Sequence, residues 1–302
     1  MRLLTRADFD GLASAVLLKD IGLMDNWIYV HPKDVQDGKY PGDPEDIVVN
    51  VPYIRGCGFW FDHHSSEGQR LKEELKFKGA SRPAKSAARL IWEYFGGNER
   101  YGRKFDEMLH YVDKVDSGDL SVEEIEDPTG WILLGFMMDP RTGLGRFRHF
   151  RISNYALMEE LIEYCRHMPV EEVLAKPDVK ERVDFYFKQQ NLFRRMLVER
   201  LRIQGRVLIL DLRNVDPIQP GNRFIMYAMY PRCHASIQVM WGKQKQNIVF
   251  SVGHSIVNRT CPVDVGALML TYGGGGHHQV GTCQVDVDDA ELVLAELIRR
   301  LK

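Results

Sequence analysis

Short, nearly unbroken apolar runs alternate with helical patterns through the first third of the chain. RLLT (2–5), NWIYV (26–30), DIVVNV (46–51) and GFWF (58–61) read as strands, and 11–22, 83–95 and 99–115 read as helices. Continuous apolar strands separated by helices predict a parallel sheet covered on both faces. From about 127 to 200 the pattern is mainly helical, and 168–204 contains a long, charged, amphipathic stretch that suits a connecting helix. Gly205 breaks it, and a second strand cluster begins: RVLILDL (206–212), ASIQVMW (235–241), NIVFSVG (247–253) and TCQVDV (282–287). Helical patterns at 263–272 and 289–301 complete this half. The expected fold is therefore α/β in two domains, 1–200 with the connecting helix at its end and a smaller 205–302.

Composition narrows the picture only a little. With 44% apolar and 27% charged residues, a 302-residue chain can bury a sizeable core. A net charge of −2 does not suggest a strongly basic binder of nucleic acid polymers. The second half also lacks an aromatic ladder for single strands, which tilts the expectation toward a compact phosphorylated substrate. Five scattered cysteines without a C-x-x-C pair suggest neither a zinc knuckle nor a disulfide framework, and point to a reducing, cytoplasmic setting. No apolar run approaches the roughly 18 residues that a membrane span requires, and no signal-peptide layout is expected at the N-terminus.

The candidate chemistry lies where strands end. TRADFDGLASAVLL (5–18) places Asp8 and Asp10 just after the first strand and just before a helix. In open α/β sheets that is the carboxyl edge, where ligands bind. Oxygen ligands so placed suit magnesium or manganese, whereas the plainer reading is helix N-capping. FWFDHHSSE (59–67) sets Asp62, His63 and His64 directly after another strand. Alone it reads equally as a polar turn; beside D-x-D-G it reads as part of a metal site. TYGGGGHHQVGTC (271–283) carries a glycine run whose backbone N–H groups could cradle an anion, although glycine also ends helices.

D-x-D-G after strand one, D-H-H after a later strand and the G-G-G-H run near the C-terminus resemble the DHH phosphoesterase superfamily with its DHH-associated C-terminal domain. The family includes exopolyphosphatases, single-strand exonucleases, nanoRNA-degrading enzymes and cyclic-dinucleotide phosphodiesterases. The resemblance implies a metal-dependent hydrolase of a small phosphoester or phosphoanhydride, such as a short oligonucleotide or dinucleotide. It implies Asp8, Asp10, His64 and Asp116 as metal ligands, with Asp113 as second choice to Asp116. Asp62, His63 and Arg6 are the implied catalytic residues. Arg259, Gly274, Gly275, Gly276, His277 and His278 would grip the substrate away from the reacting phosphorus. Manganese or magnesium is the implied cofactor, and a second copy of the chain is a candidate partner.

Two positions depart from the family pattern. Arg6 stands where many members have a histidine ligand, and Asn50 stands where a bridging aspartate ends the middle strand. A guanidinium stays protonated and cannot bind a cation. Three readings follow. One ion persists and Arg6 replaces the other, which is the favoured reading. Alternatively, Arg6 fills the site and the protein binds nucleotide or phosphate without cutting it. In the third, another carboxylate such as Asp46 bridges.

Overall fold

The computed structural model describes residues 1–64 and 77–302; the Ser65–Glu67 end of the D-H-H stretch lies outside them. The chain divides into two units, 1–120 with 127–187, and 121–126 with 188–302.

The first unit holds a five-stranded sheet in the order β2-β1-β3-β4-β5, formed by β1 (Arg2–Thr5), β2 (Asn26–Tyr29), β3 (Asp46–Val49), β4 (Phe59–Asp62) and β5 (Lys78–Ser81). Every pairing is parallel. The central strands are apolar on both faces, and Leu3, Leu4, Ile47, Val48, Val49, Trp60 and Phe61 are all buried. That is the continuous burial expected of a sheet covered by helices on both sides. β5 has the sequence KGAS, with too little apolar character to announce a strand.

The helices of this unit are α1 (Phe9–Asp20), α2 (Pro32–Gln36), α3 (Ala87–Tyr94), α4 (Gly97–Tyr101) and α5 (Asp106–Asp116), with α6 (Val122–Glu126) assigned to the other unit. They continue with α7 (Gly130–Met138), α8 (Asn154–His167) and α9 (Val170–Ala175). α1 is buried from Phe9 to Leu18, and α7 is apolar on every side and buried from Trp131 to Met138. A helix buried all round has no polar face for water. The stretch 99–115, read as one helix, is two, because Gly102 has φ +59 and ends α4.

The connecting helix α10 (Pro177–Arg200) forms as expected, but the division between units falls inside it rather than at its end. In its second half Phe193 packs so tightly on Gly221 that a Cβ there would lie 2.3 Å from the ring. Asn222 Nδ2 in turn donates to Ile125 O at 3.1 Å, which ties α6 to the second unit.

The second unit is a six-stranded mixed sheet, ordered β10-β11-β9-β8-β7-β6. Its strands are β6 (Leu201–Gln204), β7 (Val207–Asp211), β8 (Ala235–Trp241), β9 (Ile248–His254), β10 (Gly275–His277) and β11 (Val280–Val285). With them come α11 (Ile225–Met229), α12 (Val265–Leu270) and α13 (Ala290–Leu301). β7 and β8 are parallel and the remaining pairs antiparallel. The inward residues Ile237, Val239, Phe250 and Val252 pack with Leu297 of α13 in one core. All five cysteines are free thiols. Among the described residues no helix is long and apolar enough to cross a membrane.

Candidate active site

Three parallel strands deliver their polar ends to one edge of the first sheet. β1 leads to Asp8 and Asp10, β3 to Asn50, and β4 to Asp62, His63 and His64. All of these except the half-buried His64 are polar and buried, as the carboxyl edge of an open α/β sheet allows.

Asp8 caps α1, accepting from Gly11 N at 3.0 Å. It therefore does what the plainer reading of D-x-D-G expects, and it does more. Arg6 Nε lies 3.1 Å from Asp8 Oδ2. Asn50 Nδ2 donates to Asp8 Oδ1 at 3.3 Å. Asn50 itself sits at φ 58, a left-handed conformation that asparagine tolerates better than most residues. Among the described residues, its buried Oδ1 has no hydrogen-bond partner. Asp8 is thus satisfied by a backbone amide, a guanidinium and a side-chain amide, all from this chain.

Asp10 is handled differently. Its carboxylate is fully buried and accepts from Ala87 N at 2.9 Å and Ala88 N at 2.8 Å, at the start of α3. A helix N-terminus favours a carboxylate there. Burial nevertheless pushes its pKa up, and the nearby charge of Asp116 pushes the same way, against the opposing pull of His63. His63 Nε2 lies 3.6 Å from Asp10 Oδ2 and 3.3 Å from Asp116 Oδ2. The other ring nitrogen, Nδ1, is 3.3 Å from Ala84 O. A histidine that donates from Nδ1 to a carbonyl turns the Nε2 lone pair toward a cation. One ligand atom from each of Asp10, His63 and Asp116 lies within 4.8 Å of the others. Two carboxylates and an imidazole in that space are a donor set suited to a divalent ion such as manganese.

His64, expected as a direct ligand, stands beside His63, with their ring centroids 4.7 Å apart. Its Nδ1 is 2.8 Å from Asp62 Oδ1, and its backbone N–H donates to Asp62 Oδ2 at 3.3 Å. Burial raises the Asp62 pKa to about 7, despite the opposing charge of His63. His64 is held well below its usual range, first by burial and then by the positive charges of His63 and Arg6. The consecutive histidines therefore face different partners, as adjacent residues leaving a strand must.

Asp113 and Asp116 also separate. Asp113 accepts from Ser86 Oγ at 2.7 Å and from Arg89 Nε at 2.9 Å. These bonds commit it to bracing α3 against α5. Asp46, offered as an alternative bridge, is at the opposite end of β3 and paired with Arg2 at 2.8 Å.

One nearby residue carries no sequence signal. Arg141, which follows α7, pairs with Asp139 at 2.8 Å. Its pKa is raised because Asp139, Asp8 and Asp116 together outweigh the effect of burial. Only the tertiary fold brings this arginine within the field of Asp8 and Asp116.

In the second unit the glycine run is half strand, half turn. Gly275, Gly276 and His277 form β10 against β11. A Cβ on Gly274 would lie 2.0 Å from Thr282 O, and one on Gly276 would lie 2.1 Å from Val280 O. Two of the glycines are thus needed for close backbone approach. His278 stacks edge-on to His254 at 5.7 Å between ring centroids, and His254 Nε2 meets Val263 O at 2.8 Å. Arg259 Nε donates to Ile256 O at 3.3 Å and its residue is exposed.

The chain is similar to a pGpG-specific phosphodiesterase, PggH from Vibrio cholerae, with 47% identity, a TM-score of 0.77, and coverage of 99% of this chain and 98% of that one. RecJ from Thermus thermophilus, solved in complex with Mn2+, aligns with 14% identity and a TM-score of 0.52, covering 99% of this chain and 51% of that one, a likeness of fold alone. No family model and no curated protein matches the chain. Identity near one half over almost the whole length, on a fold that sets D-x-D-G and D-H-H at one sheet edge, assigns the family. The chain belongs to the DHH phosphoesterase superfamily and is a hydrolase of phosphoester bonds.

Proposed function

We propose that this protein is a phosphodiesterase of short phosphorylated dinucleotides of the pGpG type that works with one divalent cation, manganese or magnesium. The observation that carries the reading is the gathering of Asp10, His63 and Asp116 beside an Arg6–Asp8 pair. The relative whose name states a pGpG activity supports the substrate class.

Asp10, His63 and Asp116 would hold the ion. When bound, it supplies Lewis-acid polarisation of a phosphoryl oxygen and activation of a water at neutral pH. The remaining work falls to side chains. Asp8 fixes Arg6 through Nε and leaves its terminal nitrogens to meet a non-bridging phosphate oxygen. A fixed positive charge at that place stabilises the negative charge that develops on phosphorus oxygens. Asn50 removes the need for a second ion by donating to Asp8 where the family pattern has a bridging carboxylate. Asp62 orients His64, which stays neutral and accepts the proton of the attacking water at Nε2. Arg259, His277 and His278 are proposed to bind phosphate oxygens or bases of a nucleotide.

The test is hydrolysis of pGpG by the metal-loaded full chain, with nucleotide products separated by chromatography. Release of GMP that stops on chelation and returns with manganese supports the reading. Absence of hydrolysis across pH and across manganese and magnesium refutes it.

A further inference from the structure

The first unit contains a cavity of about 470 Å³ that none of the sequence motifs marks. It lies between the end of α7 and the start of α8. Its lining includes the apolar Met137, Met138, Leu144 and Met158 and the cationic Arg146 and Arg148. Ala7 also lines it, and Ala7 is the residue between Arg6 and Asp8, so the cavity borders the candidate active site.

We propose that this cavity seats the terminal phosphomonoester of the substrate, bound by Arg146 and Arg148. The inference rests on the dinucleotide phosphodiesterase reading and names a contact within it. The charge balance points to an anion. Asp139 is the single acidic residue among those lining the cavity, and it is engaged by Arg141. Arg151 is engaged by Asp178. Among the described residues, Arg146 and Arg148 have no ion-pair partner.

Arg146 is placed rather than loose. Gly143 turns at φ +87, and a Cβ there would lie 1.9 Å from Arg146 Nη2, so the guanidinium rests on the bare backbone of the turn. The far wall is equally fixed. Arg182 is buried, donates to Ile152 O at 2.6 Å and to Asn154 Oδ1 at 3.0 Å, and lies over the Phe150 ring at 4.3 Å. Ser153 caps α8 by accepting from Ala156 N at 3.1 Å, so the first amides of a 14-residue helix add positive potential at the same wall. Planar guanidinium groups with no counter-ion match phosphate oxygens in pairs. A guanine base fits less well, because its N1–H and N2–H donors would find no uncommitted carboxylate in this lining.

Two measurements test the proposal. The first compares kcat/KM for pGpG with that for GpG, which lacks the terminal phosphate, in the manganese-loaded full chain. The wild type prefers pGpG, and Arg146→Ala and Arg148→Ala each reduce that preference by about tenfold or more, the loss of one charge-assisted contact. An unchanged preference in both variants overturns the proposal. The second measures binding of GMP and of guanosine to the metal-free full chain in chelator. GMP binds more tightly than guanosine, and the margin shrinks by about tenfold in each variant. Equal margins in wild type and variants overturn the proposal. This arm needs no turnover, so a chain that binds GMP through these arginines but cuts nothing refutes the hydrolase reading alone.

Discussion

Arg6 Nε sits 3.1 Å from Asp8 Oδ2, which puts a permanent cation against the first aspartate of the D-x-D-G motif. A second metal ion at that carboxylate would have to displace the guanidinium and stand close to its charge. With Asn50 donating to the same carboxylate, the arrangement replaces one metal ion by an ion pair and an amide. Burial of a carboxylate is tolerable only when its charge is matched, and Asp8 is matched by groups of this chain.

The metal count follows from this. Purified wild-type protein, loaded with manganese and desalted, is expected to retain roughly one ion per chain, and Arg6→His with Asn50→Asp roughly two, because the pair restores an imidazole and a carboxylate. Elemental analysis of the two proteins checks it. Two ions in the wild type would show that Arg6 swings away from Asp8 on loading.

The consecutive histidines are expected to differ in what they control. His63→Ala removes a proposed ligand, so tightly bound manganese is lost and turnover falls by about a hundredfold or more, close to the loss of the ion itself. His64→Ala leaves the ion in place and lowers turnover through the lost proton acceptor, by roughly 10²–10⁴-fold. Metal retention after desalting separates the two variants. Equal loss of metal in both would move His64 into the ligand set.

Asp113 and Asp116 give an opposite pair of outcomes. Asp113→Asn breaks a carboxylate that accepts from Ser86 and Arg89, and destabilises the fold by about 1–3 kcal/mol, read as a lower midpoint in thermal or urea unfolding. Asp116→Asn leaves the unfolding midpoint of the metal-free protein unchanged or higher, because it removes a charge that crowds Asp10, and it lowers manganese affinity. An Asp116 variant that loses stability and keeps metal would reverse the two roles.

The sequence carried the sheet and the cluster of motifs because both depend on local pattern. Apolar runs such as DIVV and FWF are strands in any parallel sheet, and D-x-D-G followed by D-H-H fixes which strand ends matter. Beyond that point the outcome depends on direction and distance. Nothing in the string DHH says which ring turns to Asp10; that is set by Ala84 O meeting His63 Nδ1 and by Asp62 meeting His64. The glycine run looked like an anion loop because periodicity does not show that a second strand, β11, passes within contact of Gly274 and Gly276. β5 (KGAS) carries little apolar character and β6 (LRIQ) alternates within four residues, so their pairing partners, more than their own residues, make them strands. Arg141 and Arg146 lie on short 3-10 turns after α7, which only the folded chain brings to the motif edge.

The pH dependence of the metal-free protein has a definite sign. Asp62 has its pKa raised from 3.8 to about 7, chiefly by burial. A carboxyl group raised in the folded state binds more protons folded than unfolded between those two values. Its contribution is therefore fully favourable below about pH 4 and is lost as pH rises through about 7. Asp62→Asn keeps the shape and cannot ionise, so it lacks this loss. In chelator, the variant's advantage over the wild type is expected to grow from about pH 4 to about pH 7 and to level off above it, at a few kcal/mol at most. Manganese stabilises both proteins, and more so as pH rises, since its affinity rises as Asp10 loses its proton. Unfolding midpoints across that pH range, with and without manganese, measure both effects. If the difference between wild type and Asp62→Asn in chelator stays flat from about pH 5 to pH 8, Asp62 keeps an ordinary carboxylate pKa and burial does not hold its proton.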